Sequence, residues 1–108
     1  MKIAFTTKGT DWDAEIDPRF GRTEYLLLYD DETKTLQSID NREINQKQHG
    51  AGPQTAQKIT ELDVQLLITG NGPGGNAAMV LEKAGVRILT GYANLSAKDA
   101  YQRFLSEK

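Results

Sequence analysis

The spacing of hydrophobic residues changes along this chain, and the change predicts the order of its elements. The first part carries short apolar stretches of at most seven residues, at 2–7, 24–30 and 34–40. Ile3 and Phe5 fall on one face of the first stretch, the second stretch is dense in leucine and tyrosine, and the apolar residues of the third are Leu36 and Ile39. Alternation and short apolar runs are typical of strands. The sequence therefore begins with three predicted strands that form an antiparallel meander.

The second part of the chain has helical spacing between two further strands. Residues 41–52 show no clear period. Pro53 is suited to a first helical position, so a helix is expected from there to about Leu62. Strands are predicted at 64–69 and 86–90, with a helix at 76–84 between them. The run from Ser96 to Asp99 is typical of a capping box and starts a last helix. That helix is expected to bury four residues, Ala100, Tyr101, Phe104 and Leu105.

This order of elements, βββαβαβα with three helices, restricts the topology. Strand–helix–strand passages require parallel pairing with right-handed crossovers. The simplest arrangement is a five-stranded mixed sheet in the order 3-2-1-4-5, with only strand 2 antiparallel. The predicted fold is thus an α/β fold of the ribonuclease H-like type. At 108 residues, the chain 1–108 fits a single domain.

The topology also predicts where a ligand would bind. Strands 1, 3, 4 and 5 run in one direction, so the loops after them gather at one edge of the sheet, where open α/β sheets bind ligands. These loops are 8–22, 41–52, 70–76 and 91–95. Two helix N-termini, near Pro53 and Pro73, are expected at the same edge, and their unpaired N–H groups favour an anion.

The most distinctive run in these loops extends from Asp17 to Arg22, with the sequence Asp-Pro-Arg-Phe-Gly-Arg. Arg19 and Arg22 could converge on one anion while Phe20 anchors the loop in the core. The two arginines could equally form surface salt bridges with nearby acidic residues. Those acidic residues are Asp11, Asp13, Glu15 and Asp17.

Two further candidates lie in the same loops. His49, the one histidine, precedes Gly50 at the predicted ligand edge. The stretch from Gly70 to Gly75 matches G-x-G-x-x-G, but Pro73 removes one amide and the next strand does not end in an acidic residue, which disfavours a dinucleotide. The alternatives are a flexible turn or a set of backbone amides that binds another anion. The residues that would form it are Gly70, Asn71, Gly72, Gly74 and Gly75.

Composition and charge exclude several classes of function. The chain has no cysteine, which removes disulfides and thiolate-bound metals. Thirteen basic residues against fifteen acidic ones give a net charge of −2, so a basic surface for nucleic acid is not expected. The apolar runs are too short to span a membrane, and the N-terminus turns polar too early for a signal peptide, so a cytoplasmic protein is expected. Because no nucleophile–base or carboxylate pair is evident, we do not expect an enzyme.

The chain resembles the dinitrogenase iron–molybdenum cofactor-binding family, which includes nitrogenase cofactor carriers and orange-protein-like molybdenum–copper cluster proteins. The resemblance covers nearly the whole chain. It depends on the run from Asp17 to Arg22, on the hydrophobic strand that ends in Asp30, on His49-Gly50-Ala51-Gly52, and on the turn from Gly70 to Gly75 with its alanine-rich helix.

The resemblance implies a protein without turnover that carries or stores an anionic metal–sulfur cluster, Mo/Fe or Mo/Cu, held non-covalently. It implies cluster donor or acceptor proteins as partners and a monomer or weak dimer, with neither nucleic acid nor membrane bound. His49 would be the metal ligand. The cofactor-binding residues would be Arg19, Phe20, Gly21, Arg22, His49, Gly50, Gly70, Asn71, Gly72, Gly74 and Gly75. The alternative interpretation is a sensor of small phosphates or nucleotides that uses the same backbone amides.

Overall fold

The computed structural model describes residues 1–107, and they form one mixed sheet with helices on both faces. The strands are β1 (Lys2–Thr7), β2 (Tyr25–Asp30), β3 (Thr35–Asp40), β4 (Leu66–Ile68) and β5 (Arg87–Leu89). The helices within these residues are α1 (Arg42–Asn45), α2 (Ala51–Glu61), α3 (Gly75–Lys83) and α4 (Ala97–Ser106). No helix in the described part of the chain is long and apolar enough to cross a membrane.

The sheet has the predicted order, β3-β2-β1-β4-β5. β2 pairs antiparallel with β1 and β3, whereas β4 pairs parallel with β1 and β5. The prediction of a mixed sheet with strand 2 alone reversed is therefore confirmed. The carboxyl ends of β1, β3, β4 and β5 consequently lie at one edge of the sheet, which we call the carboxyl edge.

The alternation along the strands divides the core into two layers. Ile3 and Phe5 of β1 point to the face covered by α4, where they pack with Phe104. Ala4, between them, points to the face covered by α2 and α3, where it packs with Ile59 and Leu81. We call these the α4 face and the α2/α3 face.

The helix count is four, so the predicted three is wrong. The additional helix, α1, lies in the segment 41–52, where the sequence showed no period. Four residues make barely one turn, which is too short to display helical spacing. Its end is fixed by contacts with the distant Arg22, described below, which local sequence cannot reveal.

Several predicted boundaries also differ from the structure. α2 begins at Ala51, so Pro53 is its third residue; proline is tolerated there because the first N–H groups of a helix have no partner in the helix. α3 begins at Gly75 rather than at residue 76, and β4 and β5 are each three residues long.

Of the predicted capping box that starts α4, the N-cap bond is present, since the amide of Asp99 donates to Ser96 Oγ at 3.1 Å. The burial predicted for α4 is correct for Ala100 and Phe104 but wrong for Leu105, which is exposed; Tyr101 is half-buried. Leu105 follows Phe104 by one residue, about 100° further around the helix, and so turns away from the sheet.

Candidate functional site

The run from Asp17 to Arg22 is fixed to the carboxyl edge at both of its ends. The Asp17 amide donates to the carbonyl of Thr6 at 2.8 Å, and the Thr6 hydroxyl donates back to the Asp17 carbonyl at 3.1 Å. The Phe20 side chain is only 4% exposed and packs in the core of the α2/α3 face. Phe20 thus anchors the loop as predicted. Because its ring lies in the core, only the backbone of Phe20 is available to a ligand.

Gly21 lets this run lie directly on the first turn of α2. A Cβ atom at Gly21 would lie 2.7 Å from the Gly52 nitrogen and 2.8 Å from the Gly52 Cα. Both neighbours are backbone atoms, which cannot move aside as a flexible side chain would. Glycine is therefore required at position 21 for the loop to reach the N-terminus of α2.

Gly70 makes the corresponding approach on the other side. A Cβ atom there would lie 2.5 Å from the Pro18 Cα, and the Asn71 amide donates to the Pro18 carbonyl at 2.9 Å. The run from Asp17 to Arg22 is thus clamped between the start of α2 and the glycine loop that leads to α3. The two helices themselves approach at Gly52 and Ala77, where a Cβ atom on Gly52 would lie 3.7 Å from that of Ala77.

Arg19 is held at this edge by a buried carboxylate. Asp17 is fully buried, and its Oδ1 accepts from the Arg19 amide at 3.0 Å and from Arg19 Nε at 3.3 Å, while Oδ2 accepts from Nη2 at 3.3 Å. The hydrogen bond and the charge of Asp17 raise the pKa of the Arg19 guanidinium. The side chain remains 57% exposed, so the rest of the guanidinium is open to a ligand. The predicted salt bridge within this run therefore coexists with an available cation.

Arg22 has different surroundings, because its guanidinium points at backbone carbonyls. Nη1 donates to the carbonyl of Asn45 at 2.6 Å and to that of Lys47, and Nη2 donates to that of Gln48 at 3.4 Å. The Asn45 side-chain amide donates to the Arg22 carbonyl at 3.4 Å. Arg22 is thus bonded to the segment that connects α1 with α2.

His49 lies at the end of that connecting segment. Its side chain is exposed, and within residues 1–107 it forms no hydrogen bond or ion pair. The next residue, Gly50, has φ of +79° and precedes α2, where its carbonyl accepts from the Gln54 amide at 3.0 Å. The imidazole is therefore beside the N-terminus of α2 and free to bind.

The glycine loop offers fewer free amides than its sequence suggests. The Asn71 amide is used by Pro18, and the Gly70 carbonyl accepts from the Gly91 amide at 2.8 Å. Gly70 and Asn71 therefore fix the loop. Gly74 and Gly75 have open space where a side chain would be, and α3 begins there with unpaired N–H groups. The amides available to an anion lie at the start of α3.

A buried polar group behind the site, the side chain of Asn41, was not predicted from the sequence. Asn41 Nδ2 donates to the Thr23 carbonyl and to Thr55 Oγ1, each at 3.1 Å, and the Thr55 hydroxyl donates to the Gly21 carbonyl at 3.4 Å. This network ties the end of β3 to α2 and to the loop at Gly21. Asn41 directly follows a strand, which is its only sequence signal.

The donor set at the carboxyl edge consists of cations and N–H groups. No three histidine, aspartate or glutamate side chains of residues 1–107 are grouped so that they could hold a metal ion. Arginine, imidazole and helix N-termini instead suit a ligand that is itself anionic. Fold and site together define a small α/β domain whose carboxyl edge carries donors suited to an anion.

Comparison with known proteins places this domain in a family. The dinitrogenase iron–molybdenum cofactor family model matches residues 1–107, and the chain belongs to that family. The predicted family is therefore confirmed. No curated protein sequence matches the chain significantly.

Two solved structures show the same fold over nearly the whole chain. The apo form of the orange protein from Desulfovibrio gigas is 33% identical with a TM-score of 0.92, and the match covers 98% of this chain and 88% of that one. A putative NifB protein from Thermotoga, assigned to the DUF35 family, is 28% identical with a TM-score of 0.82, and the match covers 97% and 87%.

Proposed function

We propose that this protein carries or stores an anionic metal–sulfur cluster, or a precursor of such a cluster. The metals would be molybdenum with iron or copper, and the cargo would bind non-covalently at the carboxyl edge. The observation that carries the proposal is the clamping of the run from Asp17 to Arg22 between α2 and α3. In this proposal the exposed Arg19 guanidinium is the cation that faces the cargo at this edge. Membership in an iron–molybdenum cofactor family supports a cargo of this class.

The chemistry of the donors fits such a cargo. The chain has no cysteine, so it supplies no thiolate to build a cluster. A cluster that brings its own sulfides has a negatively charged outer surface, and it needs hydrogen-bond donors and positive charge from the protein. Arg19 and the first amides of α3 supply these, and the His49 imidazole could ligate a metal through a nitrogen lone pair.

The proposed role requires binding and release rather than turnover. The exposed position of His49 and Arg19 leaves the cargo accessible to a second protein. We therefore propose cluster donor or acceptor proteins as partners and a cytoplasmic location. We further propose that the chain acts alone or as a weak dimer.

The test is reconstitution with tetrathiomolybdate, with and without copper or iron, followed by desalting and metal analysis. His49→Ala and Arg19→Ala should each weaken retention by roughly tenfold to a hundredfold, because a charge-assisted hydrogen bond is worth ~1.5–3 kcal/mol. Arg87→Ala is the matched control, since Arg87 is an exposed arginine at the start of β5, the opposite end of the strand from the carboxyl edge. Loss of cargo in the control, or equal retention in all variants, would contradict the proposed site.

The same preparation tests the alternative function. A phosphate or nucleotide sensor should not retain metal and should gain thermal stability with nucleotides. That result would replace the carrier proposal, because both ligand classes compete for the same helix N-termini.

A further inference from the structure

The two arginines of the run from Asp17 to Arg22 are not equivalent. Arg19 is 57% exposed, and its one partner is the Asp17 carboxylate. Arg22 is half-buried, and its guanidinium donates to three backbone carbonyls, those of Asn45, Lys47 and Gln48. Two arginines at a spacing of three residues would be expected to share one anion, but they face different groups.

The three carbonyls depend on Arg22 for their hydrogen bonds. Asn45 ends α1, and the last carbonyls of a helix have no partner within it, whereas Lys47 and Gln48 lie beyond the helix in the segment that precedes α2. A guanidinium with its fixed fork of donors satisfies several carbonyls at once, which a single ammonium cannot do with the same geometry. If Arg22 turned towards an anion, these carbonyls would lose that donor.

Among residues 1–107, the long-range hydrogen bonds that hold this segment all involve Arg22. Residues 46–50 are all exposed, so none of their side chains is buried in the core. The backbone bond from the Lys47 amide to the Ile44 carbonyl, 3.1 Å, is local to the end of α1. Arg22 is therefore the long-range contact that fixes the path of the chain just before His49.

We propose that Arg22 is a positioning residue: it holds residues 45–48 so that the His49 imidazole stands beside the N-terminus of α2, and it does not itself bind the cargo. The part of this inference that concerns the cargo rests on the proposed carrier function, whereas the part that concerns the loop does not. Arg19, oriented by the buried Asp17, is the cation that faces the ligand. Of the two arginines, Arg19 therefore binds the anion and Arg22 fixes the loop that carries His49.

The loop is tested first, in the unloaded protein. Arg22→Ala and Arg22→Lys should each speed hydrogen exchange of the Lys47 amide by about tenfold, because that amide donates to the Ile44 carbonyl at 3.1 Å only while the segment keeps its path, and the loss of one net hydrogen bond is worth about that factor. His49 is the one histidine, so its ring signals in NMR spectra report its surroundings without overlap. They should shift in both Arg22 variants and remain unchanged in Arg87→Ala, a control at an exposed arginine that begins β5.

Retention of tetrathiomolybdate then separates positioning from direct binding. A lysine keeps the positive charge, so Arg22→Lys should largely preserve binding if Arg22 contacts the anion. If Arg22 is instead a positioning residue, the Arg22→Lys variant should lose tetrathiomolybdate as the Arg22→Ala variant does. The double variant Arg22→Ala/His49→Ala should be no weaker than His49→Ala alone, because Arg22 acts through His49.

Three results would overturn the inference. They are unchanged exchange of the Lys47 amide, rescue of retention by lysine, and additive losses in the double variant. Melting curves of each variant exclude a general loss of fold. If wild-type protein fails to retain tetrathiomolybdate, the carrier function fails, whereas the exchange and NMR comparison still decides whether Arg22 positions the loop.

Discussion

The two faces of the sheet are packed in different ways. On the α4 face, large aromatic side chains fill the space: the ring centroids of Trp12 and Tyr29 are 4.9 Å apart, and those of Tyr29 and Tyr101 are 5.2 Å apart. On the α2/α3 face, backbones approach each other, as at Gly21 with Gly52. The α4 face thus separates its backbones with side chains, whereas the α2/α3 face brings them together.

This difference explains why the candidate site lies where it does. Amides and carbonyls can bind a ligand or one another only where side chains leave room. On the α2/α3 face, small residues such as Ala77 and Gly52 let the starts of two helices converge on one loop. The aromatic packing of the α4 face stabilises the protein by burial and by ring contacts of about 0.5–1.5 kcal/mol each. One face therefore contributes mainly to stability, and the other also forms the site.

Truncation of one buried phenylalanine on each face tests this division and should have the largest effect. Phe20→Ala and Phe104→Ala remove rings that are 4% and 6% exposed, and each should lower the free energy of unfolding by ~3–5 kcal/mol. Only Phe20→Ala should also release bound tetrathiomolybdate at temperatures where both variants remain folded, since Phe20 anchors the loop of Arg19. Chemical denaturation and metal analysis give the two readouts. Equal cargo loss in both variants would mean that the faces are coupled and the division is wrong.

Glycine substitutions sharpen the comparison within the α2/α3 face itself. A methyl group at Gly21 meets the backbone of Gly52 at 2.7 Å, so Gly21→Ala should destabilise the fold by ~1–3 kcal/mol, the usual cost of overpacking. Gly75→Ala, at the first residue of α3 with nothing within 4 Å, should not destabilise the fold, because alanine has a higher helix propensity than glycine. Thermal unfolding of both variants measures the difference. A harmless Gly21→Ala would show that the loop is not clamped on α2.

The sequence predicts the sheet well because strand signals are local and the connections leave one simple topology. The meander and the two strand–helix units sufficed for the order β3-β2-β1-β4-β5. The same reasoning placed the loops of Arg19, His49 and Gly70 at one edge. Sequence could not predict α1 or the surroundings of Arg22, because both depend on contacts between residues more than twenty positions apart. The arginine spacing indicated a shared anion, and only the carbonyls of Asn45 and Lys47 show a different partner for Arg22.

The smallest expected effect concerns one surface ion pair near each face. Arg42 Nη2 lies 2.8 Å from Asp40 Oδ2 at the end of β3, and Arg103 Nε lies 2.8 Å from Glu107 Oε1 at the end of α4. The side-chain and backbone hydrogen bonds from Arg42 lower the pKa of Asp40 from 3.8 to about 2. A carboxylate with a lowered folded-state pKa stabilises the protein above its unfolded pKa, and this contribution is lost as pH falls from 3.8 towards about 2.

Asp40→Asn should therefore reduce the acid sensitivity of the melting temperature in that pH window. Because the pair is exposed, the change should be smaller than that of Gly21→Ala, and added salt should reduce it further. Glu107→Gln removes the comparable exposed pair from α4 and serves as the reference for losing a surface carboxylate. The Lys58 ammonium also donates to the Asp40 carbonyl at 2.7 Å, a bond that the asparagine retains, so only the carboxylate is tested. If both variants make the melting temperature equally less sensitive to acid, the Arg42 hydrogen bonds have no special role at the end of β3. The α2/α3 face then differs from the α4 face in its backbone packing alone.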